Sequence, residues 1–330
     1  MPELPEVESV RLGLERHLRG RVVQRVEVLD PRPLRRQAGG EQAFVKELTG
    51  RTITGAARRG KLMWLPLDDG RALRAHLGMS GQLLVRGTAA QAQPDPAVLG
   101  QSGPDLTATQ APTLVRDLST RPRHLRVRLH LAHQDGDEPT GAALDLVDQR
   151  MFGGLLVDDL VPTADGLPGG RGEQRALIPA SATHVARDLL DPHLDQEQAS
   201  ARLRASGRGV KTLLLDQGIV SGVGNIYADE GLWAACLHGR RRGKALGRAA
   251  VARLLEETAA VMRRALAVGG TSFDALYVNA DGAPGFFARS LAVYGRAGQD
   301  CRRCGSTLRS EVVGGRSHVF CPQCQTRPRG

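Results

Sequence analysis

The chain has 330 residues, a formal net charge of +10 and a pI near 10.1, so it is long enough for two domains and favours a polyanionic partner. No apolar run is long enough to span a membrane and the N-terminus lacks the features of a signal peptide, so we expect a cytoplasmic protein with no membrane partner. Aromatic residues form 3% of the chain, which argues against a single-strand binder built on base stacking. Charge alone does not separate nucleic-acid binding from an arginine-rich proteome bias.

The N-terminal segment reads MPELPEVESV. Residues 5–19 predict an amphipathic helix, because Pro5 suits the first helical position and the apolar residues that follow recur on one face. Residue 2 is small, so we expect the initiator methionine to be removed. The mature chain would then begin with the secondary amine of Pro2 beside the carboxylate of Glu3. That pair suits either a helix entry or a nucleophile with an acid/base partner.

The region from Val22 to about Val157 contains short segments rich in β-branched residues and separated by Gly, Pro or Asp. This pattern predicts an antiparallel β-sandwich or barrel. The stretch 87–121 interrupts it with Ala, Gln, Pro, Gly and Thr, a composition that cannot build a core. We therefore expect a surface insertion there.

After about residue 180 the pattern becomes helical. The segment KTLLLDQGIVSGVGNIYADEGLW predicts a helix ending near Gly218, a turn, and a second helix with Asn225 as its N-cap. Gly222 and Gly224 would let a phosphate approach the backbone amides at this helix start, and Lys211 on the preceding helix would add a positive charge.

The last 30 residues hold two cysteine pairs of CxxC spacing, separated by sixteen residues. Spacing of this kind predicts a four-thiolate site for one structural zinc ion, and two redox dithiols are the alternative. The fifth cysteine, Cys236, falls in an apolar helix and is expected in the core. The predicted ligands are Cys301, Cys304, Cys321 and Cys324.

The residues between the cysteine pairs predict a hairpin turning at Gly314 and Gly315, with Arg316 just after the turn. Residues 301–330 contain six arginines and a single acidic residue, Glu311. This balance predicts phosphate contact, although a solvated basic tail has the same composition.

Five motifs occur together in one order: PELPEVE, RRGKL around Lys61, HLGMSG, VGNIYADE, and VYGR leading into the cysteine pairs. In this combination the chain closely resembles the formamidopyrimidine-DNA glycosylase family, and Leu4 resembles its purine-repair branch rather than the endonuclease VIII branch. The resemblance implies a multidomain α+β fold. Its parts would be a catalytic β-sandwich with an N-terminal helix (1–170), a helix–two-turn–helix domain (180–280) and a zinc finger (291–325).

The resemblance also implies a bifunctional glycosylase with AP lyase activity on oxidised purines, such as 8-oxoguanine and formamidopyrimidines, in double-stranded damaged DNA. Pro2 would form a Schiff base with the sugar, Glu3 would act as acid/base, and Lys61 and Arg316 would assist beside the lesion. The chain would then cleave the strand by β,δ-elimination. Alternatives are an oxidised-pyrimidine glycosylase, a catalytically silent DNA-binding protein and an RNA-binding zinc-ribbon protein.

Further contacts with DNA follow from the same resemblance. Met79, Arg150 and Phe152 match residues that fill the gap left by a flipped nucleotide. His124 keeps one histidine of a common His-x-His pattern, and Arg123 is the alternative for this DNA contact. A lesion-recognition loop is expected within 269–287, and nothing requires more than a monomer. The matched phosphate contacts are Lys211, Asn225 and Arg316.

Overall fold

The computed structural model describes residues 2–86, 123–133, 142–270 and 290–328. The predicted insertion at 87–121 and nearly all of the predicted loop at 269–287 lie outside the described residues. No helix within the described ranges is long and apolar enough to cross a membrane.

Two antiparallel sheets face each other in the N-terminal part, with strand orders β1-β6-β7-β5 and β2-β3-β4-β8-β9. The predicted β-sandwich is therefore confirmed, but its last strand lies beyond the predicted boundary at residue 170. The elements are α1 (Leu4–Leu18), β1 (Arg21–Val28), α2 (Gly40–Leu48), β2 (Ala57–Arg59), β3 (Leu62–Pro66), β4 (Arg71–His76), β5 (Gly81–Arg86), β6 (Leu125–His133), β7 (Ala142–Asp148), β8 (Gly154–Pro162) and β9 (Leu177–Pro179).

Strand β6 shows why these residues form a sandwich. Val127, Leu129 and Leu131 are buried in the core between the sheets, and they alternate with polar residues that point away from it. Leu129 pairs with Leu144 of β7, so the apolar face continues across the sheet.

The C-terminal part has a second hydrophobic core made by helices. A β-hairpin follows them and carries a small core of its own around the cysteines. The elements are α3 (Gln196–Ala205), α4 (Val210–Leu214), α5 (Asn225–Ala234), α6 (Arg248–Ala267), β10 (Arg309–Val313) and β11 (Arg316–Phe320).

Helix α1 belongs to both halves of the molecule. Leu4 packs in the helical core, whereas Val7, Val10 and Leu14 pack in the sandwich core. The amide of Leu4 also donates to the carbonyl of Gly222, at 3.1 Å. The N-terminal residues are consequently fixed at the junction of the two domains.

Candidate active site

The carboxylate of Glu3 binds the first turn of α5. It accepts hydrogen bonds from the amides of Gly224 at 2.6 Å, Ile226 at 2.9 Å and Tyr227 at 3.3 Å. These amides are the unsatisfied donors that every helix start presents. Glu3 therefore caps a helix that lies more than two hundred residues further along the chain.

Asn225 is not the N-cap that the sequence predicts. The cap position is Gly224, and Asn225 is the first helical residue. Its side chain is hydrogen-bonded with Tyr294, while its Oδ1 atom is buried with no partner among the described residues. At this helix start, where a phosphate contact is predicted, the carboxylate of Glu3 accepts from the amides of Gly224, Ile226 and Tyr227. A local capping rule cannot detect a carboxylate supplied from a distant segment.

Two glycines are required where the domains meet. A Cβ atom at Gly224 would lie 2.7 Å from Cγ of Glu3, closer than atoms can pack. Gly60 has a φ of +60°, and a Cβ there would lie 2.9 Å from the amide nitrogen of Gly222. The first approach brings the α5 turn against the N-terminal segment, and the second brings the β2–β3 turn against the α5 turn.

Burial raises the pKa of Glu3 from its usual 4.5 to about 7. The positive charge of Lys61 and the amides of α5 oppose this shift, and the neighbouring Glu6 adds to it. A carboxyl group with this pKa exchanges protons readily near neutral pH, which suits general acid/base chemistry. Pro2 is buried and precedes Glu3 in the chain, so its ring nitrogen lies in the same environment.

Lys61 stands at the turn between β2 and β3 and is partly buried. Burial lowers the pKa of its amine, and Arg316 lowers it further, while Glu3 and Glu6 act in the opposite direction. The structure thus brings the predicted residue Lys61 within electrostatic reach of both Glu3 and Arg316.

Asp188 and Arg58 hold the Lys61 turn in place, and no sequence motif indicates either residue. Asp188 Oδ2 accepts from the amide of Gly60 at 2.9 Å and from Arg58 Nη1 at 2.7 Å. Arg58 Nε in turn donates to Glu8 Oε2 of α1 at 2.7 Å. All three charged side chains are nearly completely buried. This network joins α1, the β2–β3 turn and the start of the helical domain.

Glu6 is a second carboxylate that sequence reasoning missed as a site residue. Its Oε2 accepts from the amide of Glu3 at 2.9 Å, and its Oε1 accepts from the hydroxyl of Tyr227 at 2.7 Å. Glu6 therefore fixes the backbone of Glu3 to α5. Glu6 is part of the PELPE motif, but the motif alone does not indicate this contact with α5.

Met79 and Phe152 lie on two adjoining turns and are 44% and 52% exposed. A Cβ at Gly78 would lie 2.7 Å from the amide nitrogen of Gly153, which shows how closely the turns approach. Large exposed apolar side chains in adjacent turns are typical of a partner-binding surface rather than of core. Arg150 is exposed on the same turn as Phe152.

The buried carboxylate of Asp148 holds these two turns together. Sequence motifs do not indicate this residue. It is fully buried, and its carboxylate accepts from the hydroxyl of Ser80 at 2.6 Å and from the amides of Arg150 at 3.1 Å and Gly153 at 2.7 Å. The amide of Asp148 also donates to the carbonyl of His124 at 3.0 Å. His124, with a φ of 70°, is thereby attached to the same surface.

Lys211 is predicted to add a positive charge beside a phosphate, but the structure places it in the interior. It is fully buried, and its Nζ pairs with Asp229 Oδ1 at 2.7 Å and also contacts the carbonyl of Ser317. Asp229 accepts from His318 Nδ1 at 2.7 Å as well. Lys211 therefore attaches the finger hairpin to α4 and α5, and it is not available for a phosphate in this arrangement. Burial by a distant hairpin is not visible in the local sequence.

The four predicted cysteine ligands come together at the base of the hairpin, with their sulfur atoms within 4.8 Å of one another. Cys304 Sγ lies 3.4 Å from Cys321 Sγ and 3.5 Å from Cys324 Sγ. A tetrahedral site with Zn–S bonds near 2.3 Å has sulfur–sulfur edges of about 3.8 Å, so the arrangement fits zinc. The indole of Trp233 donates to Cys301 Sγ at 3.4 Å, a typical outer contact of such a site.

Cys236 is not in the core, contrary to the sequence prediction. It follows α5, is exposed, and adopts a φ of 57°. Its sulfur accepts from Arg303 Nη1 at 2.7 Å and takes no part in the cluster of four cysteines. The helix ends before Cys236, so its apolar neighbours do not predict its burial.

Comparison with known proteins agrees with this arrangement. Residues 1–155 match the formamidopyrimidine-DNA glycosylase N-terminal domain, 185–276 its H2TH domain, and 298–327 a zinc finger found in FPG and IleRS. Over 100% of its length the chain is 50% identical to formamidopyrimidine-DNA glycosylase of Nocardioides sp., covering 96% of that protein. The chain belongs to the formamidopyrimidine-DNA glycosylase family. It is accordingly a DNA glycosylase of DNA repair with one structural zinc ion.

Other members of the glycosylase family show the same relation. The enzyme of Thermobifida fusca is 47% identical over 100% of this chain and 99% of its own. A mutant of the Lactococcus lactis enzyme in complex with DNA containing Fapy-dG is 27% identical with a TM-score of 0.74, covering 99% and 100% of the two chains. The Lactococcus lactis enzyme bound to DNA with an abasic site gives 27% identity and a TM-score of 0.73, covering 98% and 100%.

Proposed function

We propose that this chain is a bifunctional glycosylase and AP lyase that excises oxidised purines from double-stranded DNA through a Schiff base on Pro2. The observation that carries the proposal is the buried carboxyl group of Glu3, whose pKa is about 7, held by α5 beside Pro2 and near Lys61. Glu3 is an acid/base group whose pKa lies near neutral pH, and it follows a proline that would become N-terminal when Met1 is removed. This arrangement suits proton transfer around an N-terminal amine.

In the proposed reaction the unprotonated nitrogen of Pro2, exposed by removal of Met1, attacks C1′ of a flipped nucleotide. The glycosidic bond breaks, and the damaged base leaves with its electron pair and with the proton that the attacking nitrogen releases. The C1′–O4′ bond then opens, Glu3 gives its proton to O4′, and the nitrogen lone pair completes a cationic Schiff base. Loss of a C2′ proton expels the 3′ phosphate, and a second elimination expels the 5′ phosphate.

Lys61 and Arg316 would act on the phosphates and protons around this centre. The lowered pKa of Lys61 makes its amine a better proton carrier near neutral pH than an ordinary lysine. Arg316, exposed at the tip of the finger hairpin, would hold a backbone phosphate beside the lesion.

The proposed partner is a duplex with one nucleotide flipped out of the stack. Met79 and Phe152 would enter the vacated space as apolar wedges, and Arg150 would face the orphaned base. His124 and Asn225 would contribute at the edges of the same surface. We further propose that the chain works as a cytoplasmic monomer.

A second candidate substrate is an oxidised pyrimidine, because the Lactococcus lactis enzyme has also been solved with DNA containing an oxidised pyrimidine. The test is single-turnover cleavage of matched duplexes carrying 8-oxoguanine, Fapy-dG, an oxidised cytosine or an undamaged base. We expect excision and strand cleavage on both purine lesions, with slower action on the pyrimidine. Preferential cleavage of the pyrimidine duplex would contradict the purine assignment.

A further inference from the structure

Asp229 is a fully buried carboxylate that the proposed reaction does not use. It lies on α5 within one helical turn of Ile226, whose amide donates to Glu3 at 2.9 Å. The helical rise places these two positions about 4.5 Å apart along the axis. A single turn of α5 therefore links whatever Asp229 holds to the carboxyl group of Glu3.

Both oxygens of Asp229 bind the finger hairpin. Oδ1 accepts from His318 Nδ1 at 2.7 Å, and Oδ2 accepts from the amide of Val319 at 3.0 Å. The other ring nitrogen of His318, Nε2, accepts from the amide of Gly239 at 3.1 Å, so the neutral ring carries its proton on Nδ1. Asp229 thus binds β11 through a side chain and through the main chain.

Lys211 completes this network. Its ammonium group lies 2.7 Å from Asp229 Oδ1 and also donates to the carbonyl of Ser317. Burial lowers the pKa of Lys211, the charges of Asp229 and then Glu3 oppose that shift, and the charge of Arg316 adds to it. Since Glu3 and Arg316 both act on this one amine, the network lies within electrostatic reach of each of them.

The turn of the hairpin also packs closely against α4. Gly314 has a φ of +57°, and a Cβ atom there would lie 2.6 Å from Oγ1 of Thr212. Arg316 pairs with Val313 across this turn. The three residues that the network binds, 317–319, follow Arg316 directly. The network therefore fixes the strand from which the exposed guanidinium extends.

We propose that Asp229 is a positioning residue that sets the place of Arg316 relative to Glu3. Helix α5 binds Glu3 at its first turn and binds β11 through Asp229, so both functional groups are placed by the same helix. The inference rests on the phosphate contact proposed for Arg316. Removing the charge of Asp229 would leave the ammonium of Lys211 buried beside a neutral group, which the hairpin can relieve only by moving.

The test measures binding to a duplex with a tetrahydrofuran abasic-site analogue at several salt concentrations, so that excision does not interfere. Arg316→Ala should make the slope of log affinity against log salt smaller by about 1, because one phosphate contact is lost. Asp229→Asn should make it smaller by a similar amount, although it removes no positive charge. Asp300→Asn changes an exposed acid of the finger, and this matched control should keep the wild-type slope.

A double variant separates positioning from a general loss of structure. If Asp229 acts through Arg316, the slope of Asp229→Asn combined with Arg316→Ala should equal that of Arg316→Ala alone. Zinc content, measured for each variant, shows that the finger is folded. His318→Gln removes only the Nδ1 donor to Asp229. It should change the slope in the same way, and it provides the test if Asp229→Asn does not retain zinc.

The outcomes separate this inference from the proposed function. A wild-type slope in zinc-loaded Asp229→Asn, or additive effects in the double variant, overturns the positioning role. An unchanged slope in Arg316→Ala overturns it as well, because Arg316 would then contact no phosphate. Failure of the wild type to excise 8-oxoguanine, with the binding results as expected, would count against the proposed function alone.

Discussion

In the zinc finger the metal ligands come from two short motifs, whereas the junction at Glu3 is assembled from segments at residues 2–6, 58–61, 188 and 222–227. A bound ion supplies most of the stability of such a finger. The junction depends instead on buried hydrogen bonds and ion pairs that connect two hydrophobic cores. The finger can therefore unfold on its own when its metal ion is removed. The geometry around Glu3, in contrast, depends on both domains at once.

Zinc removal should produce the largest effect. Structural zinc binds with an apparent free energy of about 10–16 kcal/mol, so chelation or Cys304→Ser should unfold the finger and abolish tight DNA binding. The sandwich should remain folded because its core shares no residues with the finger. Circular dichroism and zinc release check this, with Cys236→Ser as the control. Full DNA affinity in a protein proven to be free of zinc would contradict the account.

Glu3→Gln should lower the rate of excision while leaving the junction between the two domains folded. An amide keeps an oxygen acceptor for α5 but cannot transfer protons, so single-turnover excision should fall by about 10²–10⁴-fold. The control Glu256→Gln changes an exposed acid that pairs with Arg263 on the surface of α6. A wild-type rate in Glu3→Gln would remove Glu3 from the mechanism.

Asp188→Asn tests whether the β2–β3 turn is held by its ion pair. Loss of one partner from a buried pair costs about 3–5 kcal/mol, and Arg58 would keep only Glu8. We expect a lower free energy of unfolding and a reduced kcat, since Lys61 is on that turn. Asp165→Asn, which breaks a more exposed pair with Arg187, is the control. An unchanged kcat with lost stability would limit the network to a structural role.

The stability contributed by Glu3 should depend on pH in a defined direction. Its pKa is about 7 in the folded chain and 4.5 ordinarily, so the folded state holds more protons between these values. Stability therefore decreases as pH rises through that window. Relative to wild type, Glu3→Gln should gain about 1–3 kcal/mol between pH 5 and pH 8. Chemical denaturation at both pH values measures the gain, and a constant difference would contradict the raised pKa.

Local patterns predicted much of this molecule. The apolar periodicity of α1, the short β-branched strands and the CxxC spacing each depend on neighbouring residues, and the structure confirms the sandwich and the cysteine cluster. The PELPE and HLGMSG motifs indicated where site residues lie.

The roles that local patterns do not predict depend on contacts between distant segments of the chain. Asn225 has the side chain of an N-cap, but Glu3 performs that task from the other domain. Lys211 has the sequence context of a surface lysine, yet the finger hairpin buries it against Asp229. Asp148 and Asp188 are ordinary acids in the sequence, and only the folded chain shows that they position the turns of Phe152 and Lys61.

Borohydride trapping on a duplex with one 8-oxoguanine opposite cytosine, followed by peptide mass mapping, tests the central claim most directly. We expect one covalent adduct at the nitrogen of Pro2 in a chain that has lost Met1. An adduct at a lysine, or no adduct despite specific binding by a correctly trimmed chain, would contradict it.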